Sequence, residues 1–258
     1  VSKKTVNATT KSAATIAREK KPASKIITET PKAPTENKVD LQTYYYFPSM
    51  VYSVNKPEFL NDARKVSTEY INNTKKQQKL DDLYPVYQTD NMFNDTRLSG
   101  LTKFISDISW NILHNQGYNM NNLGMQYIEM WCQEHHKTSG QEQHVHGYGS
   151  QIVGFYFIDC PDNSSKVIFH DPKPAKWQIN LPEAAVENAT VASTMINFTP
   201  EPGTLLFTNS WLPHSISRHG NTKPLRFIHF NLGIQHTDNQ ITPFPVENPT
   251  NDSSVEII

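Results

Sequence analysis

The stretch "QEQHVHGYGSQIVGFYF" (141–157) places two histidines one residue apart, then a turn, then a run of apolar and aromatic residues. Alternation decides how it reads. In a strand, residues two apart share a face, so His144 and His146 point the same way. Val153, Phe155 and Phe157 share one face of the following strand, and Gly154 and Tyr156 the other. Two histidines on one face of an edge strand are either ordinary surface groups or two ligands of one metal ion. The rest of the chain has to choose.

Outward from this stretch the period stays near two. Strands are expected over 125–135, 141–147, 151–159, 166–170, 204–208 and 225–234, separated by clusters of Gly, Pro and Asn. Upstream, "TYYYFPSMVYSVN" (43–55) also reads as a strand. Two helices precede the main run, over 57–76 and 99–117. In the second, Leu101, Phe104, Ile105, Ile108 and Ile112 make one stripe, with Ser99 as the expected N-cap and Gly117 as the C′ residue. Helices followed by six or more strands, without βαβ alternation, predict a mainly β fold: an antiparallel sandwich or barrel with helices packed outside.

The chain has 258 residues and a net charge of −1, which gives no general argument for nucleic acid or an anionic membrane. No stretch of 18 apolar residues is present to span a membrane as a helix, and the first ten residues lack the apolar segment of a signal peptide. Two cysteines, Cys132 and Cys160, fit a reducing compartment such as the cytoplasm. Residues 1–40 carry nine Lys/Arg against four Asp/Glu and no aromatic residue. They read as a basic low-complexity leader, either a solvated linker or an arm for an assembly partner. Residues 41–240 form the expected domain and 241–258 a tail.

A third metal ligand for His144 and His146 is expected from His214, which follows a short apolar strand and the turn "SWLP". Arg226 opens the apolar strand "RFIHFNLGI", where burial would be costly without a carboxylate partner. No acidic residue lies in that segment, so a ligand carboxylate held in a bidentate fork is the expected partner. His135 and His136 are adjacent and cannot face one site together. His170 reads as a strand end, His229 as a packing or outward residue because its spacing from Arg226 is odd, and Cys132 as a small core residue.

The order H-x-H, apolar strand, "SWLPH", Arg-led strand resembles the 2-oxoglutarate/Fe(II)-dependent oxygenases, in the prolyl-hydroxylase-like group of marine bacteria and their phages. The resemblance is carried by "MWCQEHHKTSGQEQHVHGYGSQIVGFYFIDCPDNSSKVIFHDP" (130–172) and "PGTLLFTNSWLPHSISRHGNTKPLRFIHFN" (202–231), with "FPSMVYSVN" (47–55) similar to the family's N-terminal segment. It implies a double-stranded β-helix, a jelly-roll barrel. It implies Fe(II) on His144, His146 and His214, and 2-oxoglutarate as co-substrate with its far carboxylate on Arg226. His146 stands where the wider superfamily has Asp or Glu, so the ligand set would be three neutral imidazoles rather than two histidines and a carboxylate. Gln133 and, more weakly, Tyr127 are expected to share a strand face with Trp131 and to meet the co-substrate. If Phe157 faces inward, a hydroxyl that often helps bind it is missing.

The implied activity is hydroxylation, with a protein side chain as one substrate class. Two alternatives stand beside it. One is a virion or assembly component built on an oxygenase-like jelly roll, with the 1–40 arm on a neighbouring chain. The other is a cupin-like metal enzyme that uses no 2-oxoglutarate.

Overall fold

The structure is a computed structural model in which residues 42–179 and 181–238 are described. The expected leader, up to residue 40, and tail, from residue 241, lie outside the described residues. Among the described residues there are ten strands: β1 (Val51–Asn55), β2 (Val86–Gln88), β3 (Leu123–His135), β4 (Gln141–His144), β5 (Ser150–Asp159), β6 (Val167–His170), β7 (Met195–Phe198), β8 (Thr204–Asn209), β9 (His214–Ile216) and β10 (Leu225–His236). Two helices, α1 (Leu60–Gln77) and α2 (Ser99–Asn115), precede β3. The strands form a six-stranded sheet in the order β1-β8-β5-β10-β3-β2 and a four-stranded sheet in the order β4-β9-β6-β7. Every pairing is antiparallel. This is the expected double-stranded β-helix. The short strands β2, β7 and β9 were not expected, and β4 stops at His144 rather than at residue 147.

Each face of the large sheet has its own cover. One face packs on the helices: Met130, Cys132, Tyr156, Ile228, Phe230 and Leu232 meet Ala63 and Ile71 of α1 and Leu101 and Ile105 of α2. The other faces the small sheet: Phe155, Phe157, Leu206, Leu225 and Phe227 join Val167, Phe169 and Ile216. The β5 alternation is as expected, with Tyr156 turned to the helices and its hydroxyl donating to the Lys56 carbonyl at 2.8 Å.

Helix α2 starts differently from the expectation. A 3₁₀ turn, Thr96–Leu98, leads into it, and Ser99 is already helical. Asp95 supplies the side-chain cap, accepting from the Arg97 backbone N–H at 3.0 Å. Gly117 does end the helix with φ +94, as its lack of a Cβ permits.

Gly154 marks the closest approach in the sheet. A Cβ there would overlap the Leu206 carbonyl and the Phe230 ring. Gly154→Ala is therefore expected to destabilise the fold by about 1–3 kcal/mol or more through overpacking. Thermal denaturation checks this; an unchanged midpoint would mean that β5 and β8 separate more easily than their packing indicates.

Candidate functional site

The ends of β4 and β9 bring three histidines together. His144 and His214 are paired in register across these strands. His146 lies beyond the end of β4, where its backbone N–H donates to the Ser210 carbonyl at 2.9 Å. The shared direction of the two H-x-H rings thus survives without a continuous strand. One ring nitrogen from each of His144, His146 and His214 lies within 4.8 Å of the others. The Nε2 atoms of His146 and His214 are 3.3 Å apart.

The tautomers suit a metal. The His214 Nδ1–H donates to the Leu212 carbonyl at 3.0 Å, and the His144 Nδ1–H to the Glu142 carbonyl at 2.8 Å. Each bond fixes its ring and leaves Nε2 as the lone-pair donor, a common arrangement for metal-binding imidazoles. Burial pushes the His214 pKa down to about 3, and burial, then the neighbouring His144, pushes His146 down to about 4. Both are neutral at pH 7, the form that binds a metal. The donor set fits Fe(II): three convergent imidazole nitrogens, a number that leaves coordination positions for other ligands. Beside it the chain exposes Val145, Tyr148 and Trp211.

Arg226 is elsewhere. Its side chain lies on the helix-packed face, where Nη2 donates to Glu134 Oε2 at 2.6 Å and Nη1 to Thr68 of α1 at 2.8 Å. Glu134, 1% exposed at its side chain, also pairs with Lys75 at 2.6 Å and His136 at 2.8 Å. The expectation of a free guanidinium facing the metal is corrected. The acidic partner comes from β3, 92 residues earlier in the chain, and α1 covers the pair. This arginine does not fit the far carboxylate of 2-oxoglutarate.

Tyr127 is also corrected. A β-bulge between Asn231 and Leu232 of β10 and the facing residues of β3 makes Ile128 the extra residue. Alternation breaks there, so Tyr127 turns toward the helices, stacks on Phe93 and donates to the Thr102 carbonyl at 2.8 Å. Gln133 is buried on the side of β3 opposite Glu134. Its amide donates to Gln88 at 2.9 Å, and its oxygen lies 3.3 Å from the His135 ring. Cys132 is packed in the core, and burial pushes its thiol up to about 12, so it is inert as a nucleophile.

His229 was missed. It faces inward and is 4% exposed, its ring 5.0 Å from that of His146 and 5.2 Å from Trp131. The available signal was its shared parity with Phe227 and Asn231.

The buried histidines predict acid sensitivity. Burial, then His219 and His136, depresses the His135 pKa to about 3. A folded-state value below the unfolded value gives stability that is complete above about pH 6.5 and is lost as pH falls toward 3, at about 1.4 kcal/mol for each tenfold difference in proton affinity between the two states. Burial raises the Glu134 pKa, but Lys75 and Arg226 outweigh it and hold the carboxyl below its ordinary value. Its contribution is lost as pH falls through its depressed value, below about 4.5. Denaturant midpoints should fall steadily from pH 7 to pH 4, and His135→Phe should flatten the upper part of that slope. A flat profile in the parent would contradict these placements.

Comparison with known proteins finds a family to which part of the chain is similar. Residues 129–231 match the family model described as "Putative 2OG-Fe(II) oxygenase". Over that segment, less than half of the chain, the sequence is similar to 2OG-Fe(II) oxygenases. The match contains all three clustered histidines. Fe(II) and 2-oxoglutarate are the metal and co-substrate of 2OG-Fe(II) oxygenases.

Solved structures of the same fold include AviO1 from Streptomyces viridochromogenes Tue57, with a TM-score of 0.52, 9% identity, and coverage of 76% of this chain and 93% of that one. The α-ketoglutarate-dependent carbocyclase SnoK from nogalamycin biosynthesis also scores 0.52 at 9% identity, covering 73% and 82%. A Pseudomonas putida prolyl-4-hydroxylase scores 0.48 at 8% identity, covering 71% and 92%. At these identities AviO1 and SnoK show a likeness of fold alone. No curated protein matches the sequence.

Proposed function

We propose that the protein is an Fe(II)- and 2-oxoglutarate-dependent dioxygenase that hydroxylates its substrate, with a protein side chain as the substrate class. The convergence of His144, His146 and His214 inside the family-matching segment carries this reading. The three imidazoles would hold Fe(II). With 2-oxoglutarate and dioxygen, the metal supplies oxidative decarboxylation to succinate and CO2 and transfer of one oxygen atom to a C–H bond.

The chain's own residues do the rest. The Leu212 and Glu142 carbonyls hold two rings in the ligating tautomer. Phe155, packed edge-on to His214 with ring centroids 5.7 Å apart, helps keep that side of the site dry. The exposed Val145, Tyr148 and Trp211 offer apolar contact beside the metal ligands. A peptidyl substrate rests on the resemblance to prolyl hydroxylases and on this rim.

One observation favours a second reading, a metal enzyme without 2-oxoglutarate: Arg226 is committed to Glu134. Turnover separates the two. Fe(II)-loaded protein given 2-oxoglutarate and oxygen should form succinate even without a primary substrate, and removal of the metal by a chelator should stop it. Iron-loaded protein that forms no succinate, and that oxidises no member of a peptide library in a 2-oxoglutarate-dependent way, would favour the second reading.

A further inference from the structure

We propose that Trp131 and His229 form an anion-binding wall of the metal site, gripping the carboxylate that a 2-oxo acid presents to the metal. This rests on the metal-site reading above. Trp131 and His229 are directly paired across β3 and β10. The indole Nε1 is buried without a hydrogen-bond partner, and neither buried ring nitrogen of His229 makes a well-formed hydrogen bond, its ring having only a weak interaction with the Gly154 backbone. The Trp110 indole, by contrast, is satisfied, its Nε1–H donating to the Leu123 carbonyl at 2.7 Å, while Ser109, Ser165, Arg226 and Asn231 also hold a buried polar atom without a partner. Unpaired buried donors cost stability. Two of them side by side, next to the convergent histidines, mark a place where a ligand completes the bonding.

The chemistry of the donors selects that ligand. Indole only donates, and a neutral imidazole has one N–H to give. A carboxylate is acceptor-only and can take both bonds, and bonds to an ionised acceptor are the strong ones. The His229 ring centre is 5.0 Å from that of His146, yet His229 is outside the group of three whose nitrogens converge. It is therefore placed to touch what the metal holds rather than the metal. The geometry moves the anion contact from the expected arginine on the helix face to two neutral donors on the opposite face of the same strand pair.

The test uses the full chain under nitrogen. Fe(II) affinity is measured by calorimetry, and 2-oxoglutarate affinity from the visible charge-transfer band of the Fe(II) complex. Trp131→Phe and His229→Phe keep a ring and remove the donor. Each should weaken 2-oxoglutarate binding by roughly 10- to 100-fold and shift the band. Fe(II) affinity should change by less than about threefold, and the thermal midpoint of the metal-free variants should hold or rise. His229→Gln, which restores an N–H, should recover part of the affinity. Unchanged 2-oxoglutarate affinity and band position in both Phe variants would overturn the proposal. If the parent binds Fe(II) but gives no band, the co-substrate reading fails separately. Azide binding to the Fe(II) form then decides the wall: equal affinity in parent and Phe variants would overturn it, and a tenfold loss would support it.

Discussion

His214→Ala is expected to lose Fe(II) binding, with affinity falling at least 100-fold, while His136→Ala binds as the parent does. Among the described residues His214 supplies one of three convergent nitrogens, and it is the most buried of the three at 1% exposure. Two imidazoles at the mouth of a barrel, one of them carried beyond the end of its strand, leave a labile site. His136 differs: its Nε2 lies 2.8 Å from Glu134, on the other side of the sheet. Calorimetric titration with Fe(II) under nitrogen measures both. Equal losses would show that the fold, and not the ligand, was disturbed. Equal retention would remove His214 from the site.

Arg226→Gln is expected to act on stability instead of on co-substrate binding. Removing one partner of a buried ion pair costs roughly 3–5 kcal/mol. Here the lower end applies, because Lys75 still reaches Glu134 at 2.6 Å. The double variant Arg226→Gln/Glu134→Gln should recover much of the loss, since it leaves no buried carboxylate short of a cation. Urea denaturation of the two variants checks both statements. In the single variant, folded protein should bind 2-oxoglutarate within about threefold of the parent. A 2-oxoglutarate affinity that falls tenfold with the urea midpoint unchanged would return Arg226 to the pocket.

The fold was legible because its pattern is local. Alternation over β5 separates Phe155 and Phe157 from Tyr156, and the two sheets bury them as that alternation requires. The H-x-H pair and His214 were legible for the same reason, with one strand end and one turn aiming all three. The errors on β10 share one cause. Alternation says that Arg226 and His229 face opposite ways, but not which way is inward. That choice depends on what covers each face. Ile228, Phe230 and Leu232 follow Arg226 under the helices, while Phe227 and Asn231 go with His229 to the interior. Choosing the arginine as the interior residue discarded the histidine in the same step. Glu134, the partner that makes a buried Arg226 tolerable, is far off in sequence and lies across the strand pair. Tyr127 failed for a different reason: one extra residue at Ile128 resets the parity, and no turn signal in the sequence announces it. The strands β2, β7 and β9, three or four residues each, are too short to show a period.

The most direct test of the central claim is one optical titration. Fe(II) is added to the metal-free protein under nitrogen, followed by 2-oxoglutarate, and the visible spectrum is followed. A three-histidine Fe(II) site that chelates the 2-oxo acid should give a metal-to-ligand charge-transfer band that saturates at one equivalent of iron and is absent in His214→Ala. A parent protein that binds one equivalent of Fe(II) yet shows no such band at saturating 2-oxoglutarate would contradict the account.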